Sequence, residues 1–420
     1  MTLFKTTLWT GLSTLLKVIS TYVLWKVIAV YTGPAGIAVM EQFQNFIQIC
    51  RSFSCSLNQG IIKYVAEYKN DDIKKSHIIS SAFVAYCFMS IAVTIFLFAS
   101  SSIISDKLFH SIAYVNTIRL LAISIILYTL NNLLLSILNG EFEIQKYVTC
   151  NITNTIFVFF VTVYLVIYYG IQGGLIGFVL NQSIALFLTV HLVVKCNWFK
   201  MSSYLQGLDL LSIKKLAKYA VISFVPILIV PISLIISRRY IANQLSWQDA
   251  GYWQGIMKLS DGYLIVMELM ISVYFLPKLS GIKSFREFKY EVFSCYRLIL
   301  PLAIIGSIFM FCFKKYIVTI LYSVEFLPML ILFKYQLIGD IARIGTWLLA
   351  SVMAAKAVIK ILVATEIFFN ITYIFITMIF VHYYGLLGTS IGFAINSILY
   401  FLVMIYCTMR CIRTGAFQLT

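Results

Sequence analysis

Long apolar runs recur along the chain, and polar residues gather between them. The hydrocarbon core of a bilayer is about 30 Å thick, so a spanning helix takes about 20 apolar residues. On that measure the pattern predicts twelve helices, over residues 7–31, 35–57, 78–100, 116–138, 148–169, 175–194, 219–241, 251–276, 298–313, 330–353, 358–381 and 386–409. The connections are short. The longest between two runs, 195–218, is polar and basic.

Composition supports the bilayer as solvent. Of 420 residues, 61% are hydrophobic and 11% charged, where a soluble domain averages about 45–50% and 25%. A soluble fold this apolar would lack the polar surface to cover itself. Disorder, coiled coil and a disulfide scaffold are excluded as well. The cysteines sit mostly within apolar runs, as at Cys50, Cys55, Cys87, Cys150 and Cys407, and read as small core residues. Met1 leads directly into a full-length span, so no removable signal peptide is expected.

The net charge of +16 changes the picture only through its distribution. One set of connections, with both termini, carries twenty Lys and Arg, counting Lys360 one turn inside its helix. The other set carries five: Lys107, Arg238, Arg239, Lys314 and Lys315. The positive-inside rule then places both termini in the cytoplasm. Most of the excess charge serves topology and contact with anionic lipid, and no nucleic-acid partner is expected.

The chain repeats itself. Tyr168-Tyr169-Gly170-x-x-Gly173-x-x-Ile176-Gly177-Phe178-x-x-Asn181 recurs without gaps as Tyr383-Tyr384-Gly385-x-x-Gly388-x-x-Ile391-Gly392-Phe393-x-x-Asn396, an offset of 215 residues. Each half holds six spans, an even number, so both enter the membrane from the same side. This predicts an all-α integral membrane fold: twelve transmembrane helices in two pseudo-symmetric six-helix bundles around a central cavity. The N-terminal bundle covers 1–194, a cytoplasmic linker 195–218, and the C-terminal bundle 219–420. Cargo in such parallel-repeat carriers sits near the midplane between the halves.

Charges inside spans cost roughly 2.5–3.5 kcal/mol each at mid-bilayer, so their number implies a wet cavity. The cations are Lys17, Lys26, Arg51, Arg119, Lys258, Lys334 and Arg343. The acids are Glu41, Asp261, Glu268, Asp340 and Glu366. Span 2 carries a polar stripe at helical spacing: Glu41, Gln44, Asn45, Gln48, Arg51, Ser52, Cys55, Asn58 and Gln59. Span 1 repeats the pattern with Thr10, Ser13, Thr14, Lys17, Ser20 and Thr21, and span 8 with Gln254, Lys258, Asp261 and Glu268. At the 215-residue offset the stripes of spans 2 and 8 differ by two residues in phase, which points to a local insertion. Spans 3, 5, 9 and 12 carry almost no charge and read as lipid-facing or structural. Pro226 and Pro231 predict a bend in span 7, either a hinge or a static kink.

Several of these charges also have a plainer reading. Lys26, Arg238 and Arg239 lie near the outer ends of their spans and can snorkel to the interface. Asp340 with Arg343, and Lys258 with Asp261, are three apart and can pair along one helix. Arg119 and Lys334 share a repeat position. Lys17 has no acid at helical spacing. Glu268 and Glu366 are the candidates for ion coupling. No phosphate-binding loop, zinc motif or catalytic loop occurs. A cavity bearing lysine and arginine favours anions, phosphate especially. No cofactor is expected beyond a coupling proton or sodium ion.

The ordered set Gly33-Pro34-Ala35-Gly36, Lys63-Tyr64-Val65-Ala66, Ser246-Trp247-x-x-Ala250-Gly251-x-Trp253-Gln254-Gly255, Ser272-Val273-Tyr274-x-Leu276-Pro277, Gln336-Leu337-x-Gly339-Asp340 and Ala355-Lys356-Ala357 resembles the Wzx-type flippases of the multidrug/oligosaccharidyl-lipid/polysaccharide exporter superfamily. The resemblance runs over essentially the whole chain. It implies a MATE-like fold and transport of an undecaprenyl-pyrophosphate-linked oligosaccharide, such as an O-antigen repeat unit. Transfer would run from the cytoplasmic to the periplasmic leaflet of the inner membrane, by alternating access. It carries cavity roles best to Lys17, Lys26, Asp261 and Asp340, with Glu41 and Arg51 at positions where the family varies. A polysaccharide polymerase and a chain-length regulator are the partners it implies, beside membrane lipids. A drug or cation antiporter of the same superfamily is the alternative.

Overall fold

The structure is a computed structural model that describes residues 3–415 and 417, except 182, 197, 205, 208 and 283. Side chains at 3–8, 10, 12, 15, 202–203 and 218–226 fall outside the description, and the span 1 position Thr10 with them. The described elements are helices: α1 (Leu3–Ser54), α2 (Asn58–Glu67), α3 (Asp72–Phe109), α4 (Val115–Gly140), α5 (Ile144–Leu180), α6 (Ala185–Val194), α7 (Leu210–Gln244), α8 (Trp247–Met270), α9 (Leu276–Gly281), α10 (Phe285–Cys312), α11 (Lys314–Leu321), α12 (Phe333–Ala355), α13 (Ile359–Tyr384) and α14 (Leu386–Arg413).

Among the described residues nine helical stretches are long and apolar enough to cross a membrane. Two of them, Leu16–Ser54 with 39 residues and Ile144–Val194 with 51, exceed a single crossing. A glycine in the left-handed region divides each, Gly33 at φ 65° and Gly170 at φ 55°. With both divided and α7 added, the twelve predicted crossings are accounted for.

The chain forms two compact units. Unit 1 comprises Met1–Thr32 and Val39–Ile232, and unit 2 Gly33–Ala38 and Ser233–Thr420. Residues of the expected linker pack on unit 1: Ser80 Oγ donates to the carbonyl of Gly207 at 2.9 Å, and Tyr204 and Leu216 join the apolar cluster around Ile61, Ile78 and Tyr86. Asp209 caps α7, and the Ser212 hydroxyl and backbone N–H hold its carboxyl below the usual range. The α7 helix is unbroken through Pro231, while Pro226 lies outside the described side chains.

The internal repeat is written in the backbone. Gly385 adopts φ 57° and ψ −138°, against φ 55° and ψ −132° at Gly170. A Cβ on Gly173 would lie 1.9 Å from the carbonyl oxygen of Leu165, and one on Gly388 2.0 Å from that of Phe380, the residue 215 positions on. The turn after α4 repeats as well. Phe142 and Ala357, both non-glycine, have φ 60° and 57°, and the three backbone hydrogen bonds around each match residue for residue.

The phase difference between spans 2 and 8 has a local cause. In the N-terminal half of the repeat the helix of span 2 resumes at Pro34 after the break at Gly33; in the C-terminal half it starts at Trp247, capped by Ser246. From these starts the offset is 213, which aligns Glu41 with Gln254, Asn45 with Lys258, Gln48 with Asp261 and Cys55 with Glu268. The offset of 215 returns beyond the stripe, where unit 2 makes a π-turn at Ile271–Phe275 and unit 1 breaks between α1 and α2.

Candidate functional site

In unit 1 the second half of α1 places Gln44, Gln48, Arg51, Ser52 and Cys55 on one face, because polar residues recur there at three- and four-residue steps. Together with Asn58 they line a cavity of about 480 Å³, closed by Tyr128 and Asn132 of α4, Phe178, Asn181 and Ile227. Polar atoms in its wall bind one another. The Tyr86 hydroxyl donates to Asn58 Oδ1 at 2.5 Å, Asn58 Nδ2 to Asn132 Oδ1 at 3.3 Å, and Asn132 Nδ2 to Cys55 Sγ at 3.6 Å.

Arg51 is the cation of this cavity. Its Nη2 donates to the carbonyls of Phe178 and Asn181, each at 3.3 Å, and its guanidinium carbon stands 4.1 Å above the Tyr128 ring. Those carbonyls belong to the end of α5. The last carbonyls of a helix lack intrahelical partners and carry partial negative charge, so a guanidinium there satisfies them. The continuous helix predicted over 175–194 is corrected here: α5 stops at Leu180 and α6 begins at Ala185. Asn154 Nδ2 donates to Asn181 Oδ1 at 3.4 Å and Ser183 Oγ to the Ser124 carbonyl at 3.0 Å. Such a break survives within a membrane because side chains and a cavity replace the missing bonds.

The other predicted residues of unit 1 are placed differently. Glu41 and Asn45 of the stripe are buried. Lys17 is exposed and Lys26 half-buried on the first half of α1. Arg119 is exposed on α4, its Nε donating to Ser101 Oγ at 3.4 Å.

Unit 2 treats its charges otherwise. Arg343 of α12 pairs with Asp261 of α8, Nη2 to Oδ1 at 2.5 Å, and its guanidinium carbon lies 4.6 Å from the Trp347 ring centre. The pairing expected along α12 between Asp340 and Arg343 is therefore replaced by one between helices. Asp261 of α8 thus meets the guanidinium across the helix interface. Asp340 is fully buried and accepts from the Tyr263 hydroxyl at 3.1 Å. Lys258 is half-buried. Lys334 is exposed, its ammonium 5.4 Å from the Tyr335 ring centre. Glu268 is exposed and Glu366 half-buried.

The interfacial placement of Arg238 is overturned. It is 0% exposed, donates from Nη2 to Gln254 Oε1 at 2.6 Å and lies 5.5 Å from the Trp253 ring centre. A cation beside an aromatic face and a carbonyl oxygen is compensated without reaching water. Gln254 was legible as part of the span 8 pattern, and Trp253 only within the motif that carries the resemblance. The contact itself, between residues of two helices, was not. Nor did periodicity signal Tyr128, Asn132 or Asn181, although Tyr128 and Asn132 share a helix face.

A sequence model of a family described as polysaccharide biosynthesis protein matches residues 4–331. The Lipid III flippases of Escherichia coli (strain K12) and of Shigella flexneri are each 27% identical over 409 residues, covering 96% of this chain and 97% of theirs. Among solved structures, an inward-facing multidrug resistance MATE family transporter of the MOP superfamily matches with TM-score 0.80 at 12% identity, over 94% of both chains. A MOP superfamily transporter from Pyrococcus furiosus, described by the reverse polarity of its binding pocket, matches with TM-score 0.68 at 12% identity, over 99% of this chain and 97% of that one.

Proposed function

The chain belongs to the polysaccharide biosynthesis protein family and is a multi-pass membrane transporter rather than an enzyme, and from that premise we propose that it flips a lipid-linked oligosaccharide from the cytoplasmic to the periplasmic leaflet of a bacterial inner membrane. The flippase relatives, alike over nearly the whole length, support this reading. The observation that carries it is the lining of the unit 1 cavity, which among the described residues holds one guanidinium, several amides and no carboxylate. That chemistry suits a phosphate-bearing, sugar-bearing cargo. A cation or drug antiporter would need an acid there.

The cargo class is an undecaprenyl-pyrophosphate-linked O-antigen repeat unit. Its diphosphate is held by the cations of unit 1, Arg51 and Lys17, and its sugars by the amides of Gln44, Gln48, Asn58 and Asn132. The polyprenyl tail stays in lipid, since withdrawing it costs about 0.8 kcal/mol per methylene. Rocking about the first and seventh spans changes which side is open. Both termini are cytoplasmic in this reading, consistent with the basic connections on that side.

Deletion of the gene should trap the lipid-linked unit on the cytoplasmic leaflet and remove surface polysaccharide. Lys17→Glu, inserted and folded, should fail to restore it. Normal complementation by that variant would remove Lys17 from the site. Drug resistance on overexpression without polysaccharide loss on deletion would favour the antiporter instead.

A further inference from the structure

A second cavity of unit 1, of about 240 Å³, lies behind α4. Leu130, Leu133 and Leu134 of α4 form one wall, and Leu186, Val190 and Val194 of α6 the other. Phe83 of α3 and Phe199 and Met201 of the linker join them. No charged or amide side chain lines it among the described residues. The slot follows α6 from Leu186 to Val194, about 12 Å at the rise of an α-helix. Val190, Val194 and Met201 are exposed, so it is open at the side. All these residues lie at the ends of spans 3, 4 and 6 that the basic connections mark as cytoplasmic, or in the linker beyond them.

Ordered water needs two to four polar partners, and this slot supplies none around most of its wall. Its neighbour is the hydrocarbon of the inner half of the bilayer, and a chain entering it gains packing contacts on all sides. The geometry of α4 separates this chain from the cargo. Tyr128 and Asn132, one turn apart, line the Arg51 cavity, whereas Leu130 and Leu134 lie about 200° round the helix from them. A tail whose diphosphate sat at Arg51 would have to pass through α4 to reach the slot. The occupant is therefore a separate lipid.

The mouth selects its headgroup. His191 follows Val190 in the chain, Lys195 follows Val194 and Lys200 follows Phe199. Lys200 is paired with Asp72 at 2.9 Å. The Lys195 ammonium instead meets Nε2 of His191 at 2.9 Å, and no carboxylate pairs with it among the described residues. An exposed ammonium at the level of the headgroups attracts a phosphate.

We propose that the slot between α4 and α6 binds one acyl chain of an anionic phospholipid of the cytoplasmic leaflet, with its phosphate at Lys195, and that this lipid braces α4 from behind and so steadies Tyr128 and Asn132 in the cargo cavity. The lipid site stands independently of the transport reading; its effect on flipping rests on it.

The first test needs no cargo. Delipidated full-length protein is titrated with dioleoylphosphatidylglycerol, and bound lipid is counted by native mass spectrometry. The native protein should retain one tightly held lipid. Val190→Trp fills the slot without changing charge, and each methylene it keeps out should lower affinity about fourfold. Lys195→Gln should lower it about fivefold. Ile305→Trp, at an exposed position of α10, should retain the lipid. Equal retention by Val190→Trp overturns the site. Equal affinity of the native protein for dioleoylphosphatidylethanolamine overturns the headgroup assignment. Displacement of the retained lipid by equimolar undecaprenyl phosphate overturns the proposal as well, because the slot would then belong to the cargo's tail. Monodisperse size-exclusion profiles check the folding of each variant.

The second test follows a fluorescent lipid-linked oligosaccharide in proteoliposomes of phosphatidylethanolamine, with and without phosphatidylglycerol. The anionic lipid should accelerate flipping by the native protein and by Ile305→Trp, and leave Val190→Trp unchanged. Equal acceleration in all three overturns the bracing role. If no protein flips this cargo while lipid retention behaves as described, the cargo assignment fails and the lipid site stands.

Discussion

Arg51 and Arg343 occupy the two units of a duplicated fold and are neutralised in opposite ways. Arg51 faces backbone carbonyls and a tyrosine ring, and it lines a cavity with no carboxylate among its described residues. Arg343 is tied to Asp261 at 2.5 Å. Partial charges leave most of a guanidinium's field available to an incoming anion, whereas a formal carboxylate cancels it. The comparison teaches that counting cations within spans overstates how many await cargo: the one held by dipoles remains receptive, and the one held by an acid is spoken for.

The largest break in this comparison is charge reversal at Arg51. Arg51→Glu should abolish transport, with a loss of roughly 2–5 kcal/mol in cargo affinity as an anion meets an anion; binding of the lipid-linked cargo to purified protein measures it. Normal affinity would show that the cavity of unit 1 is only structural.

Arg238 sharpens the comparison, because it is neutralised by an amide and an indole and is fully buried. Arg238→Ala should destabilise unit 2 by about 1.5–3 kcal/mol, the usual worth of a charged hydrogen bond whose partner is left buried. A drop in the unfolding midpoint in detergent reports it. The repeat offers a paired control. Gly173→Ala and Gly388→Ala each thrust a methyl onto a carbonyl oxygen at 1.9 and 2.0 Å. Both should lower stability by a similar amount, about 1–3 kcal/mol, and unequal losses would mean that the two turns are not equivalent. The smallest effect belongs to Asp261→Asn. With the acid 56% exposed, the lost pair should cost only about 0.2–1 kcal/mol of stability.

The crossings were legible because bilayer thickness acts on each helix separately, and hydropathy records it. The stripe of span 2 was legible for a similar reason: Gln44, Gln48, Arg51, Ser52 and Cys55 obey one helix's own period. What failed was whatever depends on a neighbouring helix. Depth within its own span suggests snorkelling for Arg238, but Gln254 lies on a neighbouring helix. Spacing of three along α12 suggested Asp340 for Arg343, but the acid chosen lies 82 residues away. The interruption at Asn181 was invisible because no proline or glycine marks it. It is tolerated through Arg51, 130 residues earlier.

One short segment constrains how this molecule is made. Gly33–Ala38 belongs to unit 2, where a Cβ on Gly251 would lie 2.0 Å from the Pro34 carbonyl oxygen and Ala38 sits in the core with Ile241, Ala250 and Trp253. During synthesis those six residues leave the ribosome some two hundred positions ahead of their own core. A fragment starting at Ser233 would fold around a missing piece. Unit 2 is therefore incomplete without residues from the amino-terminal end, and a split version can assemble only if the amino-terminal fragment is present to lend that segment.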